Sequence, residues 1–344
     1  MRAAVYHGPG DIRIEDVADP GDPGPGEVRV RVLKAAICGT DSAEWEHGPI
    51  LAVPPVILGH EFVGEVVAVG VGVRDLSMGD RVVSGAGVSC GVCEWCRSSR
   101  TNLCAAYYTL GLHVNGGLAE FVNSPSSICR RVPQNVSNDA AAMTQPLAVA
   151  LHGLRRAKVS AGSCTVIIGV GGIGGFLIAG AAARGASPLI AVDIDDERLA
   201  VARLLGATHV INAAHEDVVT RVAEITDSLG AHCVVEASGT ASSPQLALDI
   251  VRRGGHVLIL GLHTGTRELN LLRLTLQEVD LHGTLAHVCS DDIPEALDIL
   301  SSTTVADHVL DQVISLDDLV ELGIAPLVER RAKGKIVVDV EGSL

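Results

Sequence analysis

Five residues, CTVII (Cys164–Ile168), run into the turn GVGGIGG (Gly169–Gly175) and then into the apolar, helix-like FLIAGAAARG. Gly169, Gly171 and Gly174 thus stand in G-x-G-x-x-G spacing between a strand and a helix. Few sequence features constrain a fold as tightly. The first glycine permits a sharp turn, the second lets the backbone approach a pyrophosphate, and the third brings the helix against the strand. The helix start, at Gly172 and Ile173, supplies N–H groups and positive potential for the phosphates. The next apolar segment, LIAVD, ends on Asp193, 19 residues beyond Gly174. A carboxylate there accepts hydrogen bonds from an adenosine ribose and repels a 2′-phosphate, which favours NAD over NADP. Arg198 lies close enough in sequence to touch either cofactor.

The surrounding pattern supports a doubly wound, parallel-sheet domain. From about Ser160, short apolar runs alternate with helical spacing. Cys164–Ile168, Leu189–Val192, Cys233–Val235 and Val257–Leu260 read as parallel strands buried on both faces. Asp195–Leu205 and Ser243–Arg253 read as helices with Asp and Ser as N-caps. The first 150 residues differ: EVRVRVLKAA (Glu27–Ala36) and EFVGEVVAV (Glu61–Val69) alternate as half-buried strands, punctuated by Gly/Pro clusters. GKIVVDV (Gly334–Val340) returns to strand character. The expected order is a β-rich lobe (1–150 and 287–344) interrupted by a nucleotide-binding domain (151–286).

SCGVCEWCRSSRTNLCA (89–105) places Cys90, Cys93, Cys96 and Cys104 in a C-x2-C-x2-C-x7-C array. Four thiolates close a tetrahedral shell and leave no position for substrate, so the array predicts a structural zinc. The chain has nine cysteines, an odd number, and its first residues carry charges where a signal peptide needs an apolar run. A reducing, cytoplasmic setting is expected.

Composition excludes other classes. The formal charge of −15 repels nucleic-acid phosphates, and three Phe, two Trp and three Tyr among 344 residues leave little with which to stack bases. The uncharged stretch Ala161–Ala183 imitates a membrane span, but it contains seven glycines and the phosphate turn, which argues for a soluble nucleotide loop.

Upstream, ICGTDSAEW (Ile37–Trp45) and LGHEFVGEV (Leu58–Val66) offer Cys38, His60 and Glu61, soft and borderline ligands from two segments that suit a zinc with an open position. CGTD, GHE, the four-cysteine lobe, GDRV (Gly79–Val82), GGLAEF (Gly116–Phe121), QPLAVALHG (Gln145–Gly153) and GVGGIGG occur in one order along the whole chain. In that order they resemble the zinc-containing medium-chain dehydrogenases, most closely the polyol, 2,3-butanediol and threonine dehydrogenase branch. The resemblance implies a GroES-like catalytic domain, a Rossmann domain, a catalytic and a structural zinc, and assembly into dimers or tetramers. It implies hydride transfer between NAD and a secondary alcohol, a diol, polyol, sugar or amino alcohol, with the zinc lowering the alcohol's pKa. Cys38 and His60 match zinc ligands, Asp41 the carboxylate that orients the histidine, and Thr40 the hydroxyl that relays the alcohol proton. Glu44 and Trp45 fall where relatives line the substrate cleft.

Two positions depart from that pattern. The branch has Glu where this chain has Gln145, so Glu61 is expected to ligate the zinc in at least one state while Gln145 completes the shell weakly or contacts substrate; the alternative is that Gln145 simply substitutes as the ligand. Relatives often carry a histidine where Ala43 stands, so the proton must leave by water, by ribose hydroxyls or by a group such as His47, itself expected to be a surface residue. A ketone reductase of the same fold and a non-catalytic NAD-binding relative are the alternative readings.

Overall fold

The computed structural model describes residues 1–263 and 265–343. Contacts between Cα atoms divide the chain into two compact units, one of Met1–Ala148 with Val288–Leu344, the other of Val149–His287.

In the first unit, alternation in EVRVRVLKAA becomes the spine of a seven-stranded sheet. Val28, Val30 and Val32 face the core, while Arg31 turns outward and binds Glu65 on the adjacent strand at 2.9 Å. Glu27–Ala36 pairs antiparallel with Phe62–Val69, with Phe121–Pro125 and with the late strand Lys335–Asp339. Arg81–Ser84, Cys129–Arg131 and Leu310–Ser315 complete the sheet. Pairing Val337 with Ala36 draws the late strand beside the start of Ile37–Cys38. A separate three-stranded sheet contains Arg2–Gly8, Asp11–Asp16 and Val56–Ile57.

The second unit is a six-stranded, all-parallel sheet. Its spatial order is His209–Asn212, Leu189–Asp193, Thr165–Ile168, Ala231–Glu236, Val251–Ile259, Asp280–Gly283. The order reverses beside Thr165–Ile168, the strand that feeds the glycine turn, and such a reversal opens the crevice where dinucleotides bind. Helices follow the strands at Gly172–Ala183, Asp196–Leu204, Val218–Ile225 and Ser243–Ile250. Asp195 caps the second by accepting from the N–H groups of Glu197 and Arg198 at 2.9 and 3.2 Å. Asp217 caps the third through Thr220 N–H at 2.8 Å.

Two details differ from the sequence expectation. The helix predicted to reach Arg253 stops at Ile250, because Val251 already pairs with Ala231 in the sheet. Two strands, HVIN (His209–Asn212) and DLHG (Asp280–Gly283), are too short and polar to announce themselves. Both lie at sheet edges, where one flank needs no apolar neighbour.

The core of this unit is built from branched strand residues. Val166, Ile190, Ile211, Val234 and Val257 are all buried to within 1% of complete exclusion from solvent. Ile190→Ala is therefore expected to cost about 2–5 kcal/mol in denaturant unfolding. Leu204→Ala, at a helix position 65% exposed, should change stability by less than about 0.5 kcal/mol.

Candidate active site

Residues of the first unit converge on a largely buried cluster of ionisable side chains. Helix Gly39–His47 begins at Cys38, whose N–H donates to Asp41 Oδ2 at 2.9 Å, so the C-G-T-D turn holds its own carboxylate inward. Asp41 is fully buried. Its other oxygen, Oδ1, faces His60 Nδ1 at 3.7 Å, and neither atom has a hydrogen-bond partner. Thr40 Oγ1 lies 3.6 Å from Cys38 Sγ. Cys38, His60 and Glu61 bring a sulfur, an imidazole nitrogen and a carboxylate oxygen within 4.8 Å of one another.

The surrounding groups favour positive charge at His60. Burial alone would lower the His60 pKa, but the Cys38 thiolate and the Asp41 carboxylate outweigh it and raise the value to about 10. In Asp41 burial dominates and pushes the carboxyl upward. A divalent ion among these groups would take the place of that imidazole proton, with Asp41 bonded to the far ring nitrogen. Thiolate, imidazole and carboxylate together suit zinc.

Lys335, which sequence reasoning missed, enters this pocket from the late strand. Its buried ammonium donates to Glu61 Oε2 and to the carbonyl of Ile37 at 2.7 Å. No motif surrounds it. The only trace is a lysine opening the apolar run KIVVD. Gln145 is buried in the first turn of helix Thr144–Arg156.

Glu44 does not line a cleft. It is fully buried, and its carboxylate accepts from the N–H groups of Ile50, Leu51 and Ala52 at 2.7, 2.6 and 3.1 Å. Full burial and those three bonds hold the carboxylate on the loop that follows, so the cleft-lining expectation is corrected to a loop anchor. Trp45 is half-buried, and exposed His47 neighbours Glu46 at 3.4 Å.

The four-cysteine lobe also gathers. Cys90, Cys93, Cys96 and Cys104 place their sulfurs within 4.8 Å of one another. Cys104 Sγ accepts N–H bonds from Cys90 at 3.2 Å and Ala106 at 3.3 Å. Backbone N–H groups of Cys96 and Ala105 push the Cys93 pKa down to about 6, which prepares a thiolate for metal. Nine cysteines are free thiols.

In the second unit, the glycine turn has the close contacts its spacing predicts. A Cβ on Gly174 would sit 1.9 Å from the Gly169 carbonyl, whereas one on Gly171 would meet open space, as a phosphate approach requires. Gly172 and Ile173 open helix Gly172–Ala183. Asp193 Oδ2 accepts from Val170 N–H at 2.7 Å, tying the second strand's carboxylate to the turn. Arg198 Nη1 lies 4.0 Å from Asp193 Oδ1.

A second carboxylate hub stands at the end of Ala231–Glu236. Buried Glu236 accepts from Ser238 N and Oγ, Gly239 N and Ser243 Oγ at 2.7 to 2.9 Å, and from His263 Nε2 at 2.8 Å. His263 Nδ1 is buried without a hydrogen-bond partner at these carboxyl ends. A signal that could have marked Glu236, which sequence reasoning missed, is the E-A-S-G run after an apolar strand. His263 had none.

Comparisons with known proteins agree with this geometry. Residues 24–134 match the model for the alcohol dehydrogenase GroES-like domain, and residues 172–302 match that for zinc-binding dehydrogenases. The sorbitol dehydrogenase of Bacillus subtilis is 34% identical over 323 residues, 92% of this chain and 91% of that protein. The chain belongs to the zinc-containing alcohol dehydrogenase family. Among solved structures, 2R,3R-butanediol dehydrogenase from Bacillus subtilis superposes with a TM-score of 0.91 at 31% identity, covering 99% of both chains. A zinc-binding dehydrogenase from Sinorhizobium meliloti, bound to NADP, superposes at 0.90 with 30% identity, over 98% of this chain and 99% of that one. The dehydrogenase thus combines a GroES-like domain with a parallel-sheet Rossmann domain. No helix among the described residues is long and apolar enough to cross a membrane.

Lys335→Met should test how Glu61 is neutralised. Leaving a buried carboxylate unpaired costs about 3–5 kcal/mol, and adding Glu61→Gln should recover most of that loss in a double-mutant cycle. A much smaller loss would show that Glu61 takes its counter-charge from a bound metal instead.

Proposed function

We propose that this dehydrogenase oxidises a secondary alcohol of a diol or polyol, reversibly, with NAD as the hydride acceptor. The observation that carries the reading is the meeting of Cys38, His60 and Glu61 in one buried pocket with Asp41 behind the imidazole. Zinc held by those three would supply a Lewis acid that lowers the alcohol's pKa, and NAD would accept the hydride.

The chain's own residues prepare the rest. Asp41, with Oδ1 3.7 Å from His60 Nδ1, is placed to orient the ring when the other nitrogen binds zinc. Thr40, beside Cys38, is the hydroxyl that takes the alcohol's proton and passes it on. Beyond it Ala43 offers no acceptor, so the proton leaves through water, and turnover should respond to pH without the signature of a relay histidine. Glu61 is held by Lys335, and Gln145 completes the shell as a neutral donor or contacts substrate. Cys90, Cys93, Cys96 and Cys104 hold a second, structural zinc.

Gly169, Gly171 and Gly174 cradle the pyrophosphate, and the buried Asp193 carboxylate favours a free ribose over a 2′-phosphate. Arg198 stands close enough to serve NADP, the cofactor found in the Sinorhizobium meliloti protein. The exposed edge strand Asp280–Gly283, with exposed Leu271, Leu272 and Leu276 nearby in sequence, is where a second copy of the chain would pair.

Zinc per chain, by elemental mass spectrometry, tests the reading. Two equivalents should fall to one in Cys38→Ala, with loss of diol and polyol oxidation. Equal zinc in both proteins would remove the catalytic-metal reading. In the intact enzyme kcat/KM should be higher with NAD than with NADP, and Asp193→Ala should narrow or reverse that preference.

A further inference from the structure

A third cluster of ligating side chains lies on the Rossmann sheet, away from the glycine turn in sequence and on different strands. Val251–Ile259 and Asp280–Gly283 pair in parallel, with His256 opposite Asp280 and Leu258 opposite His282. Side chains alternate across a strand, so His256, Asp280 and His282 share one face and Leu281 points to the other. On that face they converge. His256 Nδ1 is 3.2 Å from Asp280 Oδ2 and 3.4 Å from His282 Nε2. One donor atom of each residue lies within 4.8 Å of the others.

The two separations from His256 Nδ1 are close to those of ligands around a small cation. Metal bonds of about 2.0–2.2 Å at tetrahedral angles set neighbouring ligand atoms about 3.3–3.6 Å apart. His256 Nδ1 holds one proton or one lone pair, so at any moment it bonds Asp280 or His282 but not both, and a cation would engage all three. Burial and then the Lys158 cation for His256, and burial and then Arg156 for His282, push both imidazoles below their ordinary value, which keeps ring lone pairs available.

We propose that His256, Asp280 and His282 form a separate metal site for a borderline divalent cation such as Zn²⁺, Co²⁺ or Ni²⁺. Two imidazoles and one carboxylate suit those ions, and water would complete the shell. The ion would clip the outermost strand of the parallel sheet to its neighbour. Because the ligands stand on the sheet face, the strand's free edge stays available for pairing. Lys158 is the competitor: its ammonium lies 3.2 Å from the same Asp280 oxygen, and its side chain is 59% exposed. It can swing into solvent, at a cost in affinity for the ion.

Equilibrium dialysis of the purified enzyme against micromolar ZnCl₂, read by elemental mass spectrometry, tests this. One equivalent per chain should be gained above whatever the enzyme carries on purification, so the count does not depend on the catalytic assignment. His282→Gln should weaken that added equivalent by about tenfold or more. Lys158→Met should tighten it, and added zinc should then raise the unfolding temperature further than in the parent enzyme. No added equivalent would overturn the proposal. So would an added equivalent that His282→Gln holds as tightly, or one to which Lys158→Met makes no difference.

Discussion

A single buried ammonium ties together parts of the chain that sequence places far apart. Lys335 reaches across 298 positions to the carbonyl of Ile37 and across 274 to the carboxylate of Glu61. Without it, Glu61 would lose the ammonium that faces it, and the carbonyl of Ile37, just before the C-G-T-D turn, would lose a donor. The antiparallel pairing of Val337 with Ala36 sets the register that delivers Lys335. Slipping that pairing by one residue would turn the lysine to the opposite face. The geometry of Cys38, Asp41, His60 and Glu61 therefore depends on a strand that contributes no ligand.

Carboxylates elsewhere do similar mechanical work with backbone donors rather than a cation. Glu44 gathers three N–H groups of the loop after its helix. Asp193 holds the N–H of Val170 within the glycine turn, and Glu236 collects donors from Ser238, Gly239, Ser243 and His263. In each case a charge removed from water is repaid by several short, charge-assisted hydrogen bonds. Each of these loops is thereby tied to a buried carboxylate.

What the sequence made legible was whatever chemistry packs into a short span. The four cysteines, the glycine turn with Asp193, and C-G-T-D are local patterns whose spacing is itself the geometry. The alternation in Glu27–Ala36 likewise appears directly as buried valines and outward arginines. What stayed hidden was built by pairing at a distance. Lys335, His263 and the His256–Asp280–His282 cluster are ordinary residues until strands bring them together. Glu44 looked like a cleft residue because it sits near the metal motif, and only the path of the following loop shows that its carboxylate is buried against three backbone N–H groups. The end of the helix at Ile250 was hidden for the same reason, since a partner strand claims Val251.

The interruption of one unit by the other also orders events in time. Synthesis completes the parallel-sheet unit, through His287, before Lys335 exists. During that interval Cys38, His60 and Glu61 are already present but lack the cation and the neighbouring strand that shape their pocket. The four-cysteine lobe, closed within positions 90 to 104, needs nothing so distant. A nascent chain can thus fill its thiolate knuckle early, whereas the site assigned to chemistry matures only after the intervening domain has emerged.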